Sequence, residues 1–338
     1  NSTDELGTPV YGPDQTPGPA LLLSTPEERD LLDSLQSRVR AWQALEVQNQ
    51  TDLTAVKAWL ERTDINEAIA ESYHSALVAS HDFDHLVAID EKSFVSPNSA
   101  DRAKPARVRE PILTEGRRGK AFFVSDYNTV TLGEKIGWYE RTQPFSVSLW
   151  LNPARSYPEA GIFTHCEDFR LGYKGYSLHL ENNRLRFIMA HSWPQNALEI
   201  ISLDSLSIDA WTQVVVAYDG SSSAEGISIY INGERAEVKI RRDHLYKGIL
   251  YEPDIHTYGF RGFTLGYRDK IIPFKGGGID EVQLFNRDLT DLEVRYGYDT
   301  NRKIDQKHPD ISKELAVFND ATRNAGKMHW RAELARIR

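Results

Sequence analysis

Two phrases gather the side chains best suited to hold a ligand. "MAHSWPQNAL" offers His191 and Trp193 just beyond an alternating run, in the kind of loop that commonly carries binding groups. "GIFTHCEDFRLGYKGY" adds His165, Asp168, Arg170 and Tyr173. A flat indole can stack on a sugar face, and aromatics mixed with polar donors are typical of shallow ligand sites. His165, Arg170, Tyr173, His191 and Trp193 are therefore the expected ligand-binding set, with polysaccharide as the expected partner. Packing roles compete for two of them. His191 continues the parity of Leu185, Phe187 and Met189, which suits a hydrogen-bonded histidine at a core's edge. Trp193, before Pro194, would equally close the end of a sheet stack.

Other chemistry finds less support. In "SHDFDHL" the residues His81, Asp82, Asp84 and His85 are all possible metal ligands. Placed on a strand they divide between faces, so no compact four-ligand shell arises locally. Asp82 and Asp84 would share a face at roughly 7 Å, whereas Asp280 and Glu281 would point to opposite faces. Cys166 beside His165 lacks an orienting third group, and neighbours on a strand point apart. None of these is a usual catalytic constellation, and the expectation is a protein that is not an enzyme.

Bulk properties narrow the partners. The chain has 338 residues, of which 40% are hydrophobic and 10% aromatic, enough for a sizeable core. Forty basic against forty-nine acidic residues give a net charge of −9, which lacks the basic field that nucleic acid requires. One cysteine excludes an intrachain disulfide, and there is no CxxCH for haem attachment. No run approaches the ~18 apolar residues of a membrane span. The opening "NSTDELGTPVYG" has neither a basic start nor an apolar stretch, so no signal peptide is expected within these residues.

The elements that must position these residues follow from periodicity. Residues 1–24, rich in Pro and Gly, read as an extended arm. Thr25, Pro26 and Glu28 make a helix start, and Leu31, Leu32, Leu35, Val39, Trp42 and Leu45 form one apolar stripe. A second helix with Leu53, Val56, Trp59 and Leu60 completes a helical hairpin over 25–75. From about Ala76 the period becomes two, and residues 76–300 read as an antiparallel β-sandwich. "FSVSLWL" puts Phe145, Val147, Leu149 and Leu151 on a core face, leaving Ser146, Ser148 and Trp150 for a possible groove. In "YSLHLENNRLRFIM", Asn182 and Asn183 suit a type I′ turn, which sets Leu180 opposite Leu185 and His179 opposite Arg186. Asn232 and Gly233 turn a second hairpin. Residues 301–338 read as a polar helical tail.

The succession "FSVSLW", "WTQVVVAYDG", "IYING" and "GGIDEVQLFN" resembles the laminin-G-type, concanavalin A-like jelly roll. A narrower set, "FNRDLTDLEV", "GYSLHLENNRLRFIMAHSWPQNAL" and "NSTDELGTP", resembles the sandwich insert of planctomycete-type cytochrome c multidomain proteins. The first resemblance implies a mainly β fold with a lectin-like, non-catalytic role, and a structural Ca²⁺ whose donors would be Asp126, Asp219 and Asp280. It also draws attention to a missing "ExDxxE" strand, the acid and nucleophile pair of glycosidases on this fold. The second implies a periplasmic or cell-surface setting within a larger polypeptide. A scaffold docking the flanking cytochrome and other parent domains through its helices is the alternative role.

Overall fold

The computed structural model describes residues 64–133, 135–167, 172–251, 262–268, 272–301, 303–304 and 311–323, with isolated positions between 25 and 59. The expected arm, the apolar stripe of the first helix and the tail beyond 323 lie outside the described residues.

Asp64 opens helix α1 (Ile65–Ser75) by accepting the Asn66 and Glu67 amides at 3.0 and 3.3 Å, satisfying donors that no helical carbonyl can reach. The strands then follow in chain order. They are β1 (Leu77–His81), β2 (Val87–Ala88), β3 (Ser93–Ser96), β4 (Ala106–Arg109), β5 (Leu113–Glu115), β6 (Lys120–Phe123) and β7 (Thr129–Thr131). Next come β8 (Phe145–Asn152), β9 (Glu159–Cys166), β10 (Gly175–Glu181), β11 (Arg184–Ser192), β12 (Asn196–Ser205) and β13 (Thr212–Tyr218). The last are β14 (Ile227–Ile231), β15 (Glu234–Arg235), β16 (Val238–His244), β17 (Thr264–Leu265), β18 (Tyr267–Arg268), β19 (Ile272–Pro273) and β20 (Gly278–Phe285). Helices α2 (Asp291–Tyr298) and α3 (Ile311–Arg323) follow.

Among the described residues these strands form two sheets. The smaller runs β15-β14-β13-β8-β20-β6-β5, with β1 also on β20, and the larger runs β16-β12-β11-β10-β9-β17-β7-β4-β3-β2. Alternation sends Val147, Leu149, Leu151, Val214, Val216 and Leu284 from one sheet against Phe163, Leu178, Phe187, Met189, Leu198 and Ile200 from the other, as one continuous core. Asn182 and Asn183 adopt φ of 51° and 59°, and the β10–β11 register pairs Leu180 with Leu185 and His179 with Arg186, as the turn requires.

Three expectations are corrected. "HDFDH" is no strand: β1 stops at His81, Phe83 takes φ 60°, and Asp82 accepts the Asp84 amide at 3.0 Å in a tight turn. The outer side of β8 is no groove either. Ser146 and Ser148 are buried, and the Ser146 hydroxyl donates to the Arg287 carbonyl and accepts the Leu289 amide, both at 2.9 Å. Tyr73 of α1 and Val294 of α2 cover Val215, Ala217, Tyr230 and Phe285 on the same outer face. The residues after 300 are more than a polar tail, since Ile311, Leu315 and Phe318 of α3 are buried with Ile65, Ile69, Leu292 and Trp59.

Arg287 fastens this helical layer. It reaches the Ser72 carbonyl at 3.1 Å, the Ser72 hydroxyl at 2.7 Å and the fully buried carboxylate of Glu293, which also accepts the Thr290 amide at 3.0 Å. Removing one partner of a buried pair strands the other's charge. Glu293→Gln is expected to cost about 3 kcal/mol, read from the urea midpoint; a shift within error would show that the pair carries little.

Candidate ligand-binding site

Strand parity decides where the expected site residues go. His165, next to last in β9, faces inward: its ring stacks on Tyr176 at 5.5 Å and meets Trp138 edge-on at 4.9 Å, and only 2% of it is exposed. His191, on the inward parity of β11, holds the Gly248 carbonyl through Nδ1 at 2.6 Å, at the rim. Trp193 lies past the end of β11 and folds back over the opposite, outer face, packing on Ile188, Ala190 and Ala197. Its amide donates to the Gly172 carbonyl at 2.7 Å, which ties it to the turn bearing Tyr173 at φ 53°. Arg170 and Asp168 lie outside the described residues. The expected five-residue patch is thus divided. The larger sheet stands between His165 and Trp193, because an inward position on a buried strand cannot share a surface with an outward loop.

Around Trp193 the structure assembles residues that the sequence reading did not group. Glu199 of β12 is 3% exposed, yet it takes three guanidinium groups: Arg186 Nε at 2.7 Å, Arg242 Nε at 3.2 Å and Arg241 at 3.4 Å. Arg241 also grips Glu181 at 2.6 Å. Two of these guanidinium groups flank the indole, Arg242 at 4.8 Å and Arg186 at 5.4 Å from the ring centroid, within cation–π reach. The available signal was the facing of Glu199 and Arg242 across β12 and β16, a pairing between segments about forty residues apart.

The three carboxylates expected to hold calcium do not converge. Asp126 pairs with Lys275 at one end of the sandwich. Asp219 follows Tyr218, which pairs with Phe145, and accepts the Ser221 amide at 2.9 Å in its turn. Asp280 pairs with Trp150, five residues along β8 from Phe145, which separates Asp219 and Asp280 by about 17 Å. Asp280 accepts the Glu281 amide at 2.8 Å and the Arg118 amide at 3.2 Å, and burial pushes its carboxyl up to about 7. Glu281 sits in a bulge at φ 49°, so the simple opposite-face reading of the Asp280–Glu281 pair does not hold. Among the described residues, no group of three His, Cys, Asp or Glu stands close enough to hold a metal ion.

A profile of the Concanavalin A-like lectin/glucanases superfamily matches residues 125–295, just over half of the sequence, and the chain belongs to that superfamily. A search of curated proteins gives no match. Similar solved structures include the binding domain of Paraclostridial Mosquitocidal Protein 1, with 16% identity and TM-score 0.48 over 68% of this chain and 53% of that one. The receptor binding domain of botulinum neurotoxin mosaic serotype C/D gives 15% identity and TM-score 0.46, over 68% and 52%. The binding domain of botulinum neurotoxin DC in complex with rat synaptotagmin II gives 14% and 0.46, over the same shares. The match spans about half the length of each of these structures.

His165 and His81 are both buried, and burial lowers each imidazole to about 4. The unfolded chain takes up these two protons near pH 6.5, while the folded chain refuses them until about pH 4. Stability present above pH 6.5 is therefore lost as pH falls through that window, by up to about 1.4 kcal/mol per unit for each ring. Asp280 acts in reverse: the folded state holds a proton between about pH 7 and 3.8 that the unfolded state lacks, so it gains stability as pH falls. Among these three groups Asp280 offsets about one of the two imidazoles. His165→Phe is expected to flatten the dependence of the melting midpoint between pH 6.5 and 4.5, and an unaltered slope would contradict a neutral, buried His165.

Proposed function

We propose that this chain is a non-catalytic, lectin-like binding module that takes polysaccharide on the outer face of its larger sheet. The observation that carries the reading is the half-buried Trp193 ring, backed by Ile188, Ala190 and Ala197 and flanked by two guanidinium groups that Glu199 pins. A rigid aromatic edge beside oriented donors matches what a sugar presents, apolar C–H faces next to hydroxyls. Superfamily membership supports a lectin-like role in general terms. An exported setting within a larger polypeptide, resembling the insert of planctomycete-type cytochrome c proteins, belongs to the same proposal.

The non-catalytic part rests on the acids of that face. Glu181 and Glu199 come together through Arg186 and Arg241, and the Arg241 hydrogen bond holds Glu181 below its ordinary value. A glycosidase acid needs the opposite shift, to stay protonated near neutral pH. Docking of parent domains through an apolar helix face is the alternative; Ile65, Ile69 and Tyr73 of α1 do not offer such a face, because this chain's own residues cover them.

Glycan-array binding tests the module. Trp193→Ala is expected to weaken the preferred glycan about tenfold or more, while Trp193→Phe, which keeps a ring on the Ile188 shelf, retains part of the affinity. A blank screen of the folded wild-type chain across plant, algal and bacterial glycans would overturn the reading.

A further inference from the structure

We infer that the polysaccharide taken on this face is a polyanion, one bearing carboxylate or sulfate groups along its length. The inference rests on the carbohydrate reading of the Trp193 face and names its ligand class.

The chain as a whole carries −9, yet its charge is unevenly spread. Alternation from Glu199, together with the contacts of Arg186 and Arg241, places Arg184, Arg186, Lys239, Arg241 and Arg242 on the outer side of β11 and β16. Against these five cations stand Glu199, Glu181 and its cross-strand partner Glu159, with Glu237 just before β16. Cations therefore outnumber acids by one on this face of an acidic protein, and those nearest Trp193, Arg186 and Arg242, share Glu199 as their common acid. Asp243 does not reduce that excess, because its carboxylate turns the other way to accept the Ala224 amide at 2.8 Å and the Ser223 hydroxyl at 3.2 Å.

The geometry favours an extended ligand over a single sugar. Arg184 and Arg186 are two residues apart on one strand, roughly 7 Å, and β16 lies two strands away, roughly 10 Å. Arg184 and Lys239 are exposed, and Arg242 keeps 42% of its side chain exposed while its Nε holds Glu199. Glu199 fixes the planes of the inner guanidinium groups, so their ordering entropy is already lost before a ligand arrives. Guanidinium forks recognise carboxylate and sulfate oxygens in pairs, and neutral hydroxyls gain less from them.

The test is affinity electrophoresis of the intact chain in polygalacturonate, dextran sulfate, neutral dextran and double-stranded DNA. Retardation by one or both anionic polysaccharides, weakening about tenfold between about 50 and about 200 mM salt, supports the inference, and the stronger of the two identifies the acidic group. Arg184→Glu combined with Lys239→Glu, both exposed, is expected to abolish that retardation with the melting midpoint unchanged. Equal retardation by neutral dextran, or affinity indifferent to the double variant, would overturn the polyanion inference and leave the carbohydrate reading standing. DNA retarding the chain as strongly as dextran sulfate would reduce the face to unselective charge capture and overturn it too. If no polysaccharide binds, both readings fall.

Discussion

Strand β8 can meet water on neither side, and that constraint shapes the molecule around it. Its Phe, Val and Leu positions fill the core between the sheets, which any sandwich strand of this pattern would do. Its serines are different, because a buried hydroxyl without a partner costs free energy comparable to the hydrogen bond it lacks. Ser146 is satisfied by the backbone at Arg287 and Leu289, immediately after β20. That turn in turn carries Arg287 and the start of α2, whose buried Glu293 holds Arg287 against Ser72 of α1. The helical layer is therefore part of how the smaller sheet closes, rather than an attachment to it.

With one sheet's outer side covered by helices, the outer side of the other is where Trp193 and its guanidinium groups stand. There a nearly inaccessible carboxylate, Glu199, gathers three guanidinium groups, and two of them stand beside Trp193. Burying such a charge is tolerable only when it is multiply paired. The same pairing that offsets the burial of Glu199 orients the donors, so packing of the sheet and preorganisation of the face are one device.

Local pattern made the sandwich legible. The Asn182–Asn183 turn sets the β10–β11 register within fourteen residues, and Phe145 to Leu151 alternate cleanly. Placement of the site was legible only in part. His165 and Trp193 are both aromatic and near each other in the chain, and telling that they face opposite ways requires knowing where β9 and β11 end. The grouping of Glu199 with Arg242 depends on β12 meeting β16, a long-range pairing that neither strand encodes alone. The turn at Phe83 was hidden because "HDFDH" alternates like a strand, while the Asp82 carboxylate captures the Asp84 amide and ends it.

The cluster that joins α1 to α3 has a consequence for how this fold sits in a polypeptide. Ile65 and Ile69, just ahead of the first strand, pack with Leu315 and Phe318, beyond the last, so the helices that precede and follow the sandwich lie against each other. A body whose entrance and exit adjoin can be spliced between consecutive positions of a host chain without prying them apart, and the host needs only a short doorway to accommodate it.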